Sequence, residues 1–396
     1  MKMKEKYEII KNIIKIHHLY DDFCDISTLK EENFIFKVYE NDKLGIYSCD
    51  VQIPDEKGFE LAGKNLSIYC PYRPAANVQM NVITKVKKRT VRQLNEMVCD
   101  VANAVKKTDP DTDIFYTYER ASHNMTNDLS LHLNYEYVTH RFLIRTKDMT
   151  FSMHYLTFDE EKVKNDILPM IRAIKAGEPN KSCDDSVIDF SKYTYFVLPS
   201  DNKQIFDYFE NLLEYSNVMQ NNLIYKELFP KNFSLYTSLN YDDKRCRKYG
   251  NTAFFDFEGS YNQYYRKYLI RDGVILQPYT DKKTSKDSDT ENTACCYFDG
   301  STVSCKLLGA CIDMPLYDFT LDDCVLIQSC DISWEDDFVN IQSQLAFSRE
   351  KDGSLTMLKP FSIKIPKDRL FTENFIGTTG LYRLAGETAN GLVFKL

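Results

Sequence analysis

The sequence lacks long apolar runs: no stretch approaches the roughly 20 residues that a bilayer-spanning helix needs. Charge interrupts residues 1–11 too often for a secretory signal core. An excess of positive charge is also lacking, because 50 lysines and arginines stand against 58 aspartates and glutamates and the net charge is −8. Binders of duplex nucleic acid depend on excess positive charge. We therefore expect a cytoplasmic protein with neither a membrane nor a nucleic-acid partner.

The twelve cysteines include no C-x-x-C pair, so the spacings of zinc ribbons and redox motifs are missing. Without an export signal, we expect reduced thiols that pack as small apolar residues. Histidine is absent from residues 155–396. That half of the chain therefore cannot supply an imidazole base, a Ser-His pair or a histidine metal ligand.

The length of 396 residues suits two or three domains of roughly 150 residues each. The pattern predicts the α+β class. We expect an N-terminal α/β domain over residues 1–176, with long antiparallel strands and helices. A linker over 177–189 then leads to a mainly antiparallel β domain over 190–396.

Helical spacing of apolar residues marks four segments. This spacing predicts a short helix around 7–14 and, most clearly, a helix that runs from Thr90 over residues 90–105. A third begins at Asp159, and a fourth follows Ser200 or Asp201 as its cap. The run 281–293 has no apolar residue and is predicted to be a loop.

Aromatic and β-branched residues over 130–145 and 150–158 predict a long hairpin that turns between these segments. A two-residue loop would put His140 opposite Tyr155, whereas a three-residue loop would put it opposite His154. Both registers stay open on sequence alone. A histidine pair would in either case lack a third metal ligand.

Residues 58–65 nearly match a phosphate-binding loop. Asn65 stands where the magnesium-binding hydroxyl is needed, and Glu60 would face the phosphates. The residues that follow indicate a strand, whereas such a loop leads into a helix that holds the anion. We therefore do not expect nucleotide binding here.

Asp256, Glu258 and Gly259 form the most distinctive polar cluster. On a strand, the period of two would place both carboxylates on one face, where they could transfer protons or bind a cationic group. The alternative is a solvated edge, or salt bridges to Arg266, Lys267 or Arg271.

The residues around this cluster resemble a known family. The run TAFFDFEG at 252–259 and the run YLIRDGVIL at 268–276 are similar to the "D-x-E-G … L-I-x-x-G-V-L" segment of the TldD/PmbA family, historically called modulators of DNA gyrase. A strand at 195–198 with a helix after it, and the acidic run 240–243, fit the same order. The resemblance covers about residues 190–375. The chain departs from the family in its low content of 14 glycines and in lacking the T-G-N element.

In that family, the TldD subunit carries H-E-x-x-x-H on the helix after the first strand of the C-terminal domain, and a cysteine near its C-terminus adds a zinc ligand. Here that helix, at 205–215, has no histidine, and no cysteine follows Cys330. The resemblance therefore implies the metal-free partner, TldE (PmbA), with zinc only in a TldD-like subunit and no metal or cofactor in this chain.

The implied role is a non-catalytic subunit that completes the cavity of a zinc protease acting on peptides or unfolded chains. Asp256, Glu258 and Gly259 are the residues we would place in the wall of that cavity. The assembly would be a heterodimer with the TldD-like subunit, or a homodimer. Two other functions stay open: a metal-independent hydrolase that uses Asp256, Glu258 and a cysteine, and a non-enzymatic binding or scaffold protein that kept the fold.

Overall fold

The structure is a computed structural model. It describes residues 2–19, 23–83, 89–177, 193–200, 202–238, 253–261, 266–313, 324–349, 354–381, 384, 386 and 390–396. Antiparallel sheets dominate these residues and helices accompany them, so the predicted α+β class is confirmed. Most of the predicted linker, 178–189, and the acidic run 240–243 lie outside the described residues. The domain boundaries stay a prediction.

The first part of the chain forms a large sheet with helices against it. Its elements are β1 (Met3–His18), β2 (Cys24–Glu40), β3 (Lys43–Cys49), α1 (Asp55–Lys64), β4 (Ile68–Tyr69), β5 (Gln79–Ile83), α2 (Val91–Thr108), β6 (Asp113–Asn127), β7 (His132–Arg145), β8 (Thr150–Tyr155) and α3 (Glu160–Ala176). The strand order is β4-β3-β2-β1-β6-β7-β5, with β8 also on β7. All pairs are antiparallel except β5 with β7. We call this the first sheet.

The helix predicted around 7–14 is wrong, because these residues lie in β1. The strand pairs with β2 on one side and β6 on the other. Its isoleucines are β-branched, which favours a strand. The buried face of β1 also changes along the strand. Odd-numbered residues such as Tyr7 and Ile13 are buried first, and even-numbered residues such as Ile16 are buried near its end. The change leaves a spacing of three between Ile13 and Ile16, and this spacing imitates the helical period.

The other predicted helices are confirmed. A capping box starts α2: the Thr90 hydroxyl accepts from the Gln93 N–H at 3.2 Å, and the Gln93 side chain accepts from the Thr90 N–H at 3.0 Å. Asp159 caps α3 through the Lys162 N–H at 3.0 Å. The cap of the fourth helix is Asn202 instead of the residues predicted.

The hairpin register follows the shorter loop. Strands β7 and β8 pair with His140 opposite Tyr155, so the two-residue alternative is confirmed and the His140–His154 pairing is wrong. The Thr146 N–H closes the turn by donating to the Met149 carbonyl at 2.9 Å. The phosphate-loop resemblance falls inside α1, and strand β4 follows it as predicted.

The second part of the chain is mainly β. Its elements are β9 (Tyr195–Pro199), α4 (Lys203–Leu212), α5 (Tyr215–Gln220), β10 (Ser234–Thr237), β11 (Lys267–Arg271), β12 (Val274–Ile275), α6 (Lys282–Ser288), β13 (Cys296–Phe298), β14 (Val303–Cys305), β15 (Ala310–Asp313), β16 (Cys324–Trp334), β17 (Phe338–Arg349), β18 (Leu355–Leu358), β19 (Ser362–Pro366), α7 (Lys367–Arg369), β20 (Phe375–Leu381) and β21 (Asn390–Lys395). A seven-stranded sheet runs β18-β17-β16-β9-β21-β20, with β19 also on β17. Smaller sheets are β12-β11-β10-β15 and β13-β14.

The loop predicted at 281–293 is wrong in part, because α6 occupies its first half. Asp281 caps this helix by accepting from the Thr284 N–H at 2.7 Å. No residue of α6 is buried, so the helix needs no apolar stripe and its sequence gives no periodic signal.

The two faces of the first sheet pack against different neighbours. Along β6, Tyr116 and Tyr118 join a core with α2, α3 and strands of the seven-stranded sheet. Further along, Ala121 and Met125 point to the other face and join a core with the segment Ala253–Phe257. This second face therefore carries the predicted polar cluster.

Candidate functional site

The segment that carries Asp256, Glu258 and Gly259 is a tight turn, so the condition of a strand, under which both carboxylates would share a face, is not met. The Asp256 N–H donates to the Ser260 carbonyl at 2.8 Å, and the Gly259 N–H donates to the Asp256 carbonyl at 3.0 Å. The two carboxylates therefore do not share a strand face. Each one instead has its own set of partners.

Asp256 holds the turn closed. Its Oδ1 accepts from the N–H groups of Glu258 at 2.9 Å and Ser260 at 2.8 Å, and its Oδ2 accepts from the N–H of Cys296 at 3.1 Å. Burial raises the pKa of Asp256 to about 6, and the Lys282 ammonium and these N–H bonds limit the rise. The side chain therefore fixes the backbone of the turn and joins it to β13.

Glu258 connects the turn to α6 and to the loop after β4. It is only 1% exposed. One carboxylate oxygen accepts from the Tyr72 hydroxyl, and the other accepts from the Lys282 N–H at 3.0 Å. The Lys282 ammonium donates in turn to the Glu258 carbonyl at 2.7 Å. Burial raises the pKa of Glu258 to about 7 against the opposing effect of Lys282, so this carboxyl can hold or release a proton near neutral pH.

An ion pair lies beneath the turn, in the first sheet. The Lys37 ammonium is 2.9 Å from a Glu5 carboxylate oxygen, and both side chains are fully buried. The same ammonium donates to the Phe257 carbonyl and lies 3.7 Å from the centre of the Phe257 ring. Tyr39 adds a hydrogen bond to Glu5 at 3.2 Å. Lys37 therefore ties the first sheet to the turn.

Both the backbone conformation and the close neighbours at position 259 favour glycine. Its φ of +68° lies in the left-handed region, which side chains with a Cβ rarely adopt. An added Cβ would also lie 3.0 Å from the Met125 sulfur and 3.2 Å from Leu131 Cδ2. The turn therefore approaches the first sheet as closely as its backbone allows.

The basic partners expected from sequence lie elsewhere. Arg266 is stacked over the Tyr236 ring, and Lys267 pairs with Glu291. The observed partners are Lys37 and Lys282. Lys37 precedes the turn by more than two hundred residues, and Lys282 follows it by more than twenty. One signal was available: Lys37 interrupts the otherwise apolar run 34–39 of β2, and a lysine in such a run is buried only when it is paired.

The thiols near the turn are poorly suited to nucleophilic work. Burial raises the pKa of Cys295 to about 12 and that of Cys296 well above its usual range. The thiolate is the reactive form, so neither is activated at neutral pH. Nine cysteines of the described residues carry free thiols, whereas Cys311 is bonded in a disulfide, so the expectation of reduced thiols is wrong for Cys311.

Two grooves among the described residues lie away from the turn. One of about 690 Å³ is lined by residues that include Tyr208, Phe338 and Arg369. Another of about 220 Å³ lies between β8 and β16 and is lined by residues that include His154 and Gln328. Asp256, Glu258 and Gly259 are all buried, and their place in the wall of a substrate cavity stays a prediction.

The helix that the resemblance would expect to hold zinc follows β9 directly, as predicted. It is α4, and Ile205 and Phe209 are its buried residues. No histidine occurs in it or anywhere in residues 155–396. None of the described helices is long and apolar enough to cross a membrane.

Comparison with solved structures finds the same overall fold. TldE from Thermococcus kodakarensis matches with a TM-score of 0.69 at 13% identity, over 99% of this chain and 95% of that one. A candidate modulator of DNA gyrase from Thermotoga maritima matches with a TM-score of 0.67 at 12% identity, over 100% and 96%. Another from Bacteroides thetaiotaomicron gives 0.61 at 12% identity, over 100% and 93%. No protein-family description and no curated protein sequence matches the chain. The likeness confirms the fold that the resemblance implied.

Proposed function

We propose that this chain is the non-catalytic, TldE-like subunit of a TldD/TldE-type zinc protease that acts in the cytoplasm on peptides or unfolded chains. The observation that carries the proposal is the likeness to TldE over 99% of the chain, with a TM-score of 0.69. The fold by itself leaves the activity open, so the chemistry of particular residues has to support the role.

The missing ligands support a non-catalytic role. A catalytic zinc site needs about three protein ligands and one open position. The helix α4 stands where the resemblance puts two histidines, and it has none. With no histidine after residue 154 and no cysteine after Cys330, this chain cannot build the zinc site of a TldD-like subunit. The partner would therefore supply the metal and the reaction.

The polar turn supports a positioning role within the shared cavity. We extend the proposal to Asp256, Glu258 and Gly259 as part of the cavity wall, built together with surface from the partner. The hydrogen bonds of Asp256 and the contacts of Lys37 hold this turn in one conformation. The turn would keep the conformation of the cavity wall fixed while the partner cleaves an extended chain.

Co-purification tests the proposal. This chain and a TldD-like zinc protease, expressed together with different tags, should elute as one complex of equal stoichiometry. The matched control is a TldD-like protein mixed with the heat-unfolded chain. If the two folded proteins elute separately at micromolar concentration, the proposal fails. Cleavage by this chain alone that resists a chelator would favour the metal-independent hydrolase instead.

A further inference from the structure

A polar segment contacts the turn that carries Glu258. Residues 281–292 contain no apolar side chain, and helix α6 occupies their first half with none of its residues buried. The two ends of the segment are fixed by Thr280 and Thr293, which are both fully buried. The Thr280 N–H donates to the Thr293 hydroxyl at 2.7 Å, and the Thr293 N–H donates to the Thr280 hydroxyl at 3.1 Å. We call residues 281–292 the strap.

Between its fixed ends, the strap makes polar contacts with its neighbours. The Lys282 N–H donates to the Glu258 carboxylate at 3.0 Å, and the Lys282 ammonium donates to the Glu258 carbonyl at 2.7 Å. One turn further along α6, the Lys286 ammonium donates to the Pro71 carbonyl in the loop after β4. A segment without buried apolar side chains can exchange such contacts for water, so it belongs to the part of a fold that opens most easily.

Glu258 is the titratable group that the strap contacts, and it is 1% exposed. Charged or titratable groups face it from each element packed against it: Glu5 in β1, Lys37 and Tyr39 in β2, Cys70 and Tyr72 in the loop after β4, Asp256 in its own turn, Asp281 and Lys282 at the start of α6, and Cys296 in β13. Burial outweighs the ammonium groups of Lys282 and Lys37 and raises the pKa of the Glu258 carboxyl to about 7.

We propose that the strap opens about its fixed ends in a pH-dependent way: it stays closed over a protonated Glu258 and opens more often as the pH rises through neutrality. Opening breaks the bonds from Lys282 to Glu258 and lets water reach the carboxylate. The carboxyl proton is released to solvent, and the newly formed charge is then hydrated instead of buried. The opened state exposes the turn of Asp256, Glu258 and Gly259.

Proton linkage sets the direction and the size of the effect. The closed state has a Glu258 pKa of about 7, whereas a solvated glutamate has its ordinary value of 4.5. The closed state therefore holds the proton more tightly, and raising the pH favours the open state. With these two values, the equilibrium constant for opening should rise about tenfold between pH 6 and pH 8.

This inference goes beyond the proposed function and does not depend on it. The strap and its contacts belong to this chain alone, so opening needs no partner subunit. A failure to co-purify with a TldD-like protease would leave the strap proposal standing. A strap that does not respond to pH would, in turn, leave the proposed role as a subunit standing.

Hydrogen exchange of the full chain, followed by mass spectrometry of peptides that span the strap, tests the proposal. After correction for the intrinsic exchange rate, exchange of the strap amides should accelerate by about tenfold from pH 6 to pH 8. Glu258→Gln stays neutral, so its strap exchange should hardly change over this range. Glu291→Gln is the matched control, because Glu291 is an exposed carboxylate of the strap that pairs with Lys267, and it should respond like the wild type.

The wild-type series decides the proposal without any variant. Strap exchange that does not accelerate with pH after the correction would overturn it, and so would an acceleration that Glu258→Gln retains in full. The amides of α2 show whether the opening is local, because this helix is buried in an apolar core through side chains such as Val101. The strap should exchange faster than α2 at both pH values. Equal protection would mean that the strap opens only when the whole chain unfolds, which would also overturn the proposal.

Discussion

Apolar side chains pack on both faces of the first sheet, and one face also buries an ion pair. One face packs against α2 and α3 through apolar side chains such as Leu94 and Ile167. The other buries the pair Glu5–Lys37, which reaches the turn of Glu258. Apolar burial is non-directional and almost independent of pH, whereas buried charges need fixed partners. Both faces gain stability from apolar burial, and the second face adds a buried ion pair that fixes the position of one particular turn.

Removing one charge should have the largest effect. Lys37→Met leaves Glu5 buried without its cation, which typically costs about 3–5 kcal/mol of unfolding free energy. Urea denaturation measures the loss. The double variant Lys37→Met, Glu5→Gln should recover much of it, because no unpaired charge is then buried. A loss below about 1 kcal/mol in the single variant would show that the pair is not a stabilising contact of this face.

A pH series should separate the two faces. The folded pKa of Glu258 is about 7 against an ordinary value of 4.5, so folding favours its protonated form. Its contribution is fully present below about pH 4 and is lost as the pH rises through 7, by about 3 kcal/mol in all. Glu258→Gln stays neutral and should flatten that fall in unfolding free energy between pH 5 and 9.

Leu94→Ala on the apolar face is the control for this series. It should lower stability by about 3 kcal/mol by leaving a cavity, with a similar loss at every pH. If Glu258→Gln leaves the pH profile unchanged while the fold is intact, then Glu258 does not titrate in the neutral range and the comparison of the two faces fails.

Gly259→Ala should have the smallest effect of the series. Its φ of +68° is left-handed, and an added Cβ would lie 3.0 Å from the Met125 sulfur. Together these predict a loss of about 1–3 kcal/mol of unfolding free energy. Thermal unfolding measures it. Gly300→Ala is a useful comparison, since Gly300 also has a positive φ of +99° but an added Cβ would meet nothing within 4 Å. Equal losses would mean that the close approach to the first sheet contributes nothing.

Local signals in the sequence predicted much of the fold. The helical spacing of apolar residues after Thr90 located α2, and the spacing of the hairpin limited His140 to two registers. The failure at β1 is equally local, because a strand whose buried face changes imitates a helix. The fold class also followed from the order of the elements and from the family resemblance.

The candidate site could be predicted only in part. The sequence pointed to Asp256 and Glu258 but could not supply their partners, because Lys37 reaches the turn across more than two hundred residues. Contacts between distant segments depend on how the sheet and its helices pack, and no spacing rule reports that packing.

The central claim is that this chain supports proteolysis without performing it. The most direct measurement is cleavage of an unfolded polypeptide by a TldD-like zinc protease with and without this chain, each in the presence and absence of a chelator. The account predicts cleavage when both proteins are present, none by this chain alone, and loss of cleavage when the chelator is added. Cleavage that is the same with and without this chain would contradict the account.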